Sequence, residues 1–198
     1  MRLFVLVRHG QSELNVRHLV NGDPSVPAGL TAQGEAVAAA LAVQLAGISL
    51  GLCVHTRFGR TLATARIALE GRAVPLEVEP LLDDIDVGEL EGRTIDDYRA
   101  WKSEHTRADA FPGGESLDDA ARRYADAYER LLARPERRML VVCHEIPVRY
   151  AINAAAGSDE LDGPVHGIGN CIAHLFDEGG LRRAVDRIRL LAAADAVD

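Results

Sequence analysis

The sequence predicts an α/β fold of three layers, a mostly parallel central sheet with helices on both faces and an antiparallel hairpin at one edge. Short apolar runs alternate with helix-period segments, the pattern of strands joined by crossover helices. The runs are nearly continuous in apolar residues, as strands buried on both faces require. Near the end, Asp177-Glu178-Gly179-Gly180 separates two alternating segments and reads as a hairpin turn.

The strand candidates are Leu3–Val7, Leu50–His55, Val74–Val78 and Met139–Cys143, with Cys171–Phe176 and Leu181–Ile188 forming the edge hairpin. Thr31 is placed to cap a helix through Ala46, and a second helix runs from about Phe58 to Leu69. Ser116 caps a third to about Leu132, whose apolar stripe includes Leu117, Ala121, Tyr124, Tyr128 and Leu131. Pro147 suits the first position of a fourth helix ending near Ala155. Leu81 to Gly114 is less regular and is expected to form a lid or side wall. The tail Ala192–Asp198 is expected to fray.

The chain of 198 residues, 47% hydrophobic and 26% charged, suffices for one domain over residues 1–198. No apolar run approaches the roughly 20 residues that span a membrane. The apolar stretch after Met1-Arg2 is too short for a secretion signal and runs into Arg8-His9-Gly10, so a cytoplasmic protein is expected. A net charge of −8 argues against a nucleic-acid or anionic-membrane surface. The three cysteines, Cys53, Cys143 and Cys171, lie in apolar runs without a C-x-x-C pair and read as buried thiols.

In open parallel sheets, ligands bind beyond the carboxyl ends of the strands. There this chain carries Arg8-His9-Gly10, then Thr56 to Arg60, then His144-Glu145. Two imidazoles and two guanidinium groups at one edge suit a phosphate monoester, whose oxygens the planar Arg fork matches. The segment after Gly10 is expected to open a helix favouring anions, with Asn15 one turn in as a neutral donor. An unprotonated histidine here can attack phosphorus, or stabilise charge on the group in transfer. Any one of these residues alone would read as a packing or solvated residue; their convergence carries the inference. His18, His55, His105, His166 and His174 are expected on the surface or in packing, with His166 bordering the pocket.

Leu6-Val7-Arg8-His9-Gly10-Gln11-Ser12 with Asn15, Leu30 to Gly34, Thr56 to Ala65, Leu82 to Gly92, Phe111-Pro112-Gly113-Gly114-Glu115-Ser116 and Val141 to His144 occur in that order. Together they resemble the histidine phosphatase superfamily, the phosphoglycerate mutase-like or two-histidine phosphatases. The resemblance implies that fold, and a phosphatase acting through a phosphohistidine on His9 without metal or cofactor. It implies that Arg8, Arg60 and His144 hold the phosphoryl oxygens and that Asn15 contacts phosphate or its approach. It places the proton donor at Asp84, and a substrate-side loop at Asn21 and Gly22. A small phosphorylated metabolite is the implied partner; edge strands and helix faces leave a homodimer open.

Two departures from the family pattern stand out. The usual acid is glutamate, whereas Asp84 is one methylene shorter, and Asp83 and Asp86 compete for the assignment. Glu145 replaces the usual glycine after the second histidine, either pointing away or reading a cationic or hydroxylated leaving group. Nearby cations are expected to lower the acid's pKa until a bound dianion raises it, leaving little proton-donor competence in the free site. The alternatives are a phosphoglycerate mutase, a phospho-ligand binding module without chemistry, and a metallohydrolase using His9, His144 and a carboxylate. The last lacks any close ligand spacing in the sequence.

Overall fold

The computed structural model describes residues 1–194 of the chain. Strands β1 (Leu3–Arg8), β2 (Leu52–His55), β3 (Leu76–Val78), β4 (Arg138–Cys143) and β5 (His174–Asp177) form one sheet in the order β3-β2-β4-β1-β5. The first four run parallel, and β5 lies antiparallel along β1 with Phe4 opposite Phe176. The helices are α1 (Glu13–Val16), α2 (Ala32–Leu45), α3 (Gly59–Ala68), α4 (Ile95–Glu104), α5 (Leu117–Ala133), α6 (Glu145–Ala155) and α7 (Glu178–Ala194).

Successive strand residues face opposite sides, so the central strands β1, β2 and β4 serve two cores. Strand β3, read from its apolar run as buried on both faces, is instead an exposed edge. Val5, Val7, Cys53, Leu140 and Val142 pack with Ala38, Leu41 and Leu45 of α2 and Ala65 and Ala68 of α3. Phe4, Leu6, Val54, Met139 and Val141 pack on the other face with α5, α6 and α7. This is why β1 and β4 read as unbroken apolar runs. The predicted helix starts hold at Thr31, whose side chain accepts from Gly34 N–H, and at Ser116, which forms a reciprocal capping box with Asp119.

The predicted edge hairpin is half corrected. β5 is an antiparallel edge strand, but Leu181–Ile188 is helix. Leu181, Ala184, Val185, Ile188 and Ala192 are buried, a spacing of three and four that is helical rather than alternating. Asp177, read as a turn residue, accepts from Gly180 N–H at 2.6 Å and so caps the helix. Cys171 is buried but lies outside β5, with a left-handed backbone (φ 56°). Helix α6 begins at Glu145, two residues before the predicted start. Pro147 costs no intrahelical bond there, because the first amides of a helix have no partner in it. Of the tail expected to fray, residues 192–194 are helical, and the rest lies outside the described residues.

The irregular segment from Leu81 to Gly114 holds two short 3₁₀ turns and α4. Trp101 lies against Phe111 and stacks on His105, fixing α4 to the loop that precedes α5. Gly88 has φ +52°, and a Cβ there would lie 2.1 Å from the Pro112 carbonyl oxygen. Among the described residues, no helix is long and apolar enough to cross a membrane. All three cysteines are free and buried.

Gly88→Ala should destabilise the fold by about 1–3 kcal/mol, since both the backbone conformation and the packing exclude a side chain. Urea unfolding with an unchanged m-value is the measurement; a shift within error would show that this loop contributes nothing to global stability.

Candidate active site

The carboxyl ends of β1, β2 and β4 open on one cavity of about 710 Å³. Arg8, Asn15, Asn21, Gly22, Arg60, Asp84 and Glu145 line it. His9 and His144 lie beneath, 2% and 0% exposed, with ring centroids 5.4 Å apart. All the residues singled out in the sequence are thus brought to one place, though by different contacts.

Register sets the two histidines side by side. Arg8 is paired with Cys143 in the parallel β1–β4 ladder, and His9 N–H donates to the Cys143 carbonyl at 3.0 Å. Each strand therefore ends in a histidine at the same level. Gly10 N–H donates to Thr64 Oγ1 at 2.9 Å, and a Cβ on Gly10 would meet the Gly34 carbonyl oxygen at 2.6 Å. Only glycine lets the chain turn so close to α2.

Arg60, 4% exposed at the start of α3, joins the parts. Its Nε donates to His9 Nε2 at 3.0 Å, and its Nη1 donates to Asn21 Oδ1. Its Nη2 donates to Asn21 O at 3.1 Å, Asp84 Oδ2 at 3.2 Å and His144 Nδ1 at 3.2 Å. The guanidinium also lies over the Phe58 ring, 4.2 Å from its centroid, and that ring meets His144 edge-on.

Both imidazole tautomers follow from their partners. His9 Nδ1 lies 2.7 Å from the Gly10 carbonyl oxygen, which only accepts, so Nδ1 carries the proton. His9 Nε2 then holds the lone pair that accepts from Arg60 Nε. For His144, the Arg60 donor faces Nδ1, which leaves the proton on Nε2, donated to Thr56 Oγ1 at 2.9 Å. Thr56 is in turn bonded to Thr61 Oγ1, which donates to the Phe58 carbonyl. Burial first, then the Arg60 charge, holds both histidines well below the usual histidine pKa.

The three neighbouring carboxylates separate cleanly. Asp83 is buried on Arg57, with Oδ2 2.5 Å from its Nε and Oδ1 accepting from its N–H. Asp86 is exposed and accepts from Gly88 N–H at 3.0 Å. Asp84 alone reaches Arg60 and His144, its Oδ2 lying 3.3 Å from His144 Nδ1. Burial raises its pKa above the ordinary aspartate value, outweighing the opposing pull of Arg60. That direction corrects the expectation that cations would depress it in the free site. A protonated Asp84 competes with Arg60 for the one lone pair on His144 Nδ1.

Asn15 lines the cavity and has a structural role besides. Its Oδ1 accepts from Ser12 N–H at 3.0 Å while Ser12 Oγ accepts from Asn15 N–H, a capping box for the four-residue α1. Glu145 does not point away. Its Oε2 lies 2.6 Å from Arg8 Nη1, and its Oε1 lies 3.5 Å from Arg149 Nη1. His166 borders the cavity as expected, and so does His18, whose φ is +55°.

Sequence reasoning gave no role to Thr56, Phe58, Thr61 or Glu91, though all four lie in segments it named. Glu91 accepts from Asn21 Nδ2 at 2.9 Å, Gly22 N–H at 2.6 Å and Asp23 N–H at 3.0 Å. It thereby turns the Asn21 amide oxygen toward Arg60. Its place between Leu90 and Gly92 in the acidic segment was the available signal. A second cleft, lined by Asp23, Asp86 and Glu115 among others, lies behind Asp84. Among the described residues, no three His, Cys, Asp or Glu side chains are grouped to hold a metal ion.

Two buried histidines with the buried Arg60 and the half-buried Arg8, at the carboxyl edge of a parallel sheet, are suited to a phosphate group. Residues 4–190 match the model of the histidine phosphatase superfamily (branch 1), and the chain belongs to that superfamily. It is 35% identical over 173 residues to a 2,3-bisphosphoglycerate-dependent phosphoglycerate mutase of Brucella melitensis, covering 79% of this chain and 82% of that protein. It is 31% identical over 160 residues to the "Probable phosphoglycerate mutase GpmB" of Proteus mirabilis, covering 77% and 74%. Among solved structures, the alpha-ribazole phosphatase of Shigella flexneri aligns with a TM-score of 0.77 and 26% identity over 88% of this chain and 90% of that one. A mycobacterial glucosyl-3-phosphoglycerate phosphatase in complex with VO3 aligns with a TM-score of 0.75 and 25% identity over 89% and 93%.

Glu91→Gln places an amide NH₂ against one of three donors. Phosphate or vanadate affinity should fall about tenfold, the worth of one charge-assisted hydrogen bond. Calorimetric titration measures it, and unchanged affinity would remove Glu91 from the support of Arg60. Stability should also fall as pH drops below about 6.5, because His9 and His144 bind protons there only when unfolded. Urea midpoints across that range should decline, and decline less in a His9→Gln, His144→Gln double variant.

Proposed function

We propose that the protein is a phosphomonoesterase that forms a phosphohistidine on His9 Nε2 and hydrolyses it, with no metal or other cofactor. The observation that carries this reading is the lone pair on His9 Nε2, held unprotonated by burial, which accepts from Arg60 Nε at 3.0 Å and becomes free for phosphorus once an arriving phosphate takes that donor. Its substrate is a small phosphorylated metabolite.

In the first step, Nε2 attacks phosphorus as the ester P–O bond breaks, and Asp84 gives its proton to the departing alkoxide. In the second, Asp84 takes a proton from water, the oxygen attacks phosphorus, and the P–N bond breaks to release phosphate. Arg8, Arg60 and His144 stabilise the outer oxygens, where the charge of the transferring group lies. A bound dianion favours a proton on His144 Nδ1, from which the ring donates to a phosphoryl oxygen. The dianion also displaces Asp84 from Arg60 Nη2, because that nitrogen has no donor to spare. Burial shifts Asp84 toward its acid form for that exchange.

The sequence relatives named as phosphoglycerate mutases supply the second reading, transfer of the phosphoryl group to another hydroxyl. The named phosphatases among the structural neighbours favour hydrolysis. Inorganic phosphate released from a monoester without bisphosphoglycerate priming supports the phosphatase; turnover only with priming supports the mutase.

His9→Ala should lower kcat by roughly 10³-fold or more and abolish acid-labile labelling of the protein by a radioactive phosphomonoester. Retained labelling would move the nucleophile elsewhere. Asp84→Asn should cost about 10²–10⁴-fold on alkyl phosphates and much less on p-nitrophenyl phosphate, whose leaving group needs no proton. For the wild type, kcat/KM should peak on the acid side of neutrality: His9 stays unprotonated below the ordinary histidine range, and activity declines as Asp84 ionises. An alkaline limb that persists in Asp84→Asn would assign it to another group.

A further inference from the structure

Asp84 sits between two 3₁₀ turns, Pro80–Leu82 and Gly88–Leu90, in a stretch that joins neither a helix nor the sheet. The carbonyls of such a stretch need partners from elsewhere. Arg123 of α5 takes three of them. Its Nη1 donates to the carbonyl oxygens of Leu81 at 2.9 Å and Asp83 at 3.0 Å, and its Nη2 to that of Asp84 at 3.3 Å. Glu115 completes the clamp. Its carboxylate accepts from Arg123 Nε at 3.2 Å and from Arg123 Nη2, and its Oε1 also accepts from Asp86 N–H at 3.0 Å. Glu115 N–H donates to the Asp86 carbonyl at 2.9 Å.

The backbone is therefore held on both sides of Asp84 and at Asp84 itself. An aspartate has a short side chain, so the depth of its carboxyl is set mostly by its backbone. Asp84 Oδ2 lies 3.2 Å from Arg60 Nη2 and 3.3 Å from His144 Nδ1. A retreat of about 1 Å would put it beyond hydrogen-bond reach of both. Arg123 and Glu115 line the cleft behind Asp84, not the cavity over His9 and Arg60, so neither is placed to meet the substrate. Resting on the reading of Asp84 as the proton donor, we propose that Arg123, locked by Glu115, is a positioning residue that fixes the depth of Asp84 and so its proton transfer to the leaving group.

Arg123→Lys tests this, because it keeps the charge and loses the planar fork that serves several acceptors at once. Its kcat/KM on glycerol 3-phosphate should fall about 10–100-fold, but by no more than about twofold on p-nitrophenyl phosphate, whose leaving group needs no proton. In an Asp84→Asn background the same change should cost nothing further on either ester. Glu115→Gln loosens the same clamp more mildly and should show the same contrast between esters at smaller size. Vanadate affinity should hold in both variants; its loss would assign Arg123 to the phosphate cradle instead. Equal losses on both esters, or the same loss with and without Asp84, would also overturn the proposal. Carbon-13 NMR titration of the Asp84 carboxyl reads its position without turnover. Burial is what raises that pKa, so a loosened loop that admits water should let it fall toward the ordinary aspartate value. An unchanged titration in Arg123→Lys would count against the clamp. A fall seen in a protein that releases phosphate from neither ester would sink the phosphatase reading and leave the clamp intact.

Discussion

Arg60 is a guanidinium held almost wholly out of water, and every part of the site is built to satisfy it. A buried cation is costly unless each donor finds an acceptor and the charge finds a counter-charge. Here the acceptors come from four separate stretches: His9 after β1, Asn21 in the following loop, Asp84 in the acidic segment and His144 after β4. Only one of them is a carboxylate, so an anion that displaces Asp84 meets the whole guanidinium charge. The same geometry binds the loops to the sheet, because loss of Arg60 would strand acceptors on all four stretches.

That single charge also orders the protonation states. Burial pushes both imidazoles toward neutrality, and Arg60 adds to the push. On Asp84 the two effects oppose one another, and burial prevails. Burial thus biases the imidazoles toward the base form and Asp84 toward the acid form around one cavity, the pairing that two-step phosphoryl transfer needs. The support behind Arg60 is indirect. Glu91 orients Asn21, Asn21 orients Arg60, and Phe58 closes the far side of the guanidinium and of His144.

The strands were legible because burial on both faces leaves runs such as Phe4-Val5-Leu6-Val7 with no polar residue to confuse the period. The cradle was legible because its residues follow those runs directly, where a parallel sheet presents them. The hairpin was misread for a physical reason. Two glycines after Asp177 look like a tight turn, yet the burial of Leu181, Ala184, Val185 and Ile188 has a helical period. The pKa direction of Asp84 was misread because sequence lists the charges near a group and says nothing of how deeply it is buried. Glu91, Thr56 and Thr61 left almost no trace, since they touch other protein groups rather than ligand.

Local pattern alone thus determined the four parallel strands, where the capped helices α2 and α5 begin, and which residues follow the strand ends. Those features depend on neighbours a few residues apart. Arg8-His9-Gly10 ends β1 whatever the rest of the chain does. Only the tertiary structure decided that Asp84, and neither Asp83 nor Asp86, meets Arg60, and that Glu145 pairs with Arg8 and Arg149. It also decided the tautomers and the balance between burial and charge. Each of these depends on the distance between groups far apart in the chain and on the water excluded between them, and neither quantity exists before the chain is folded.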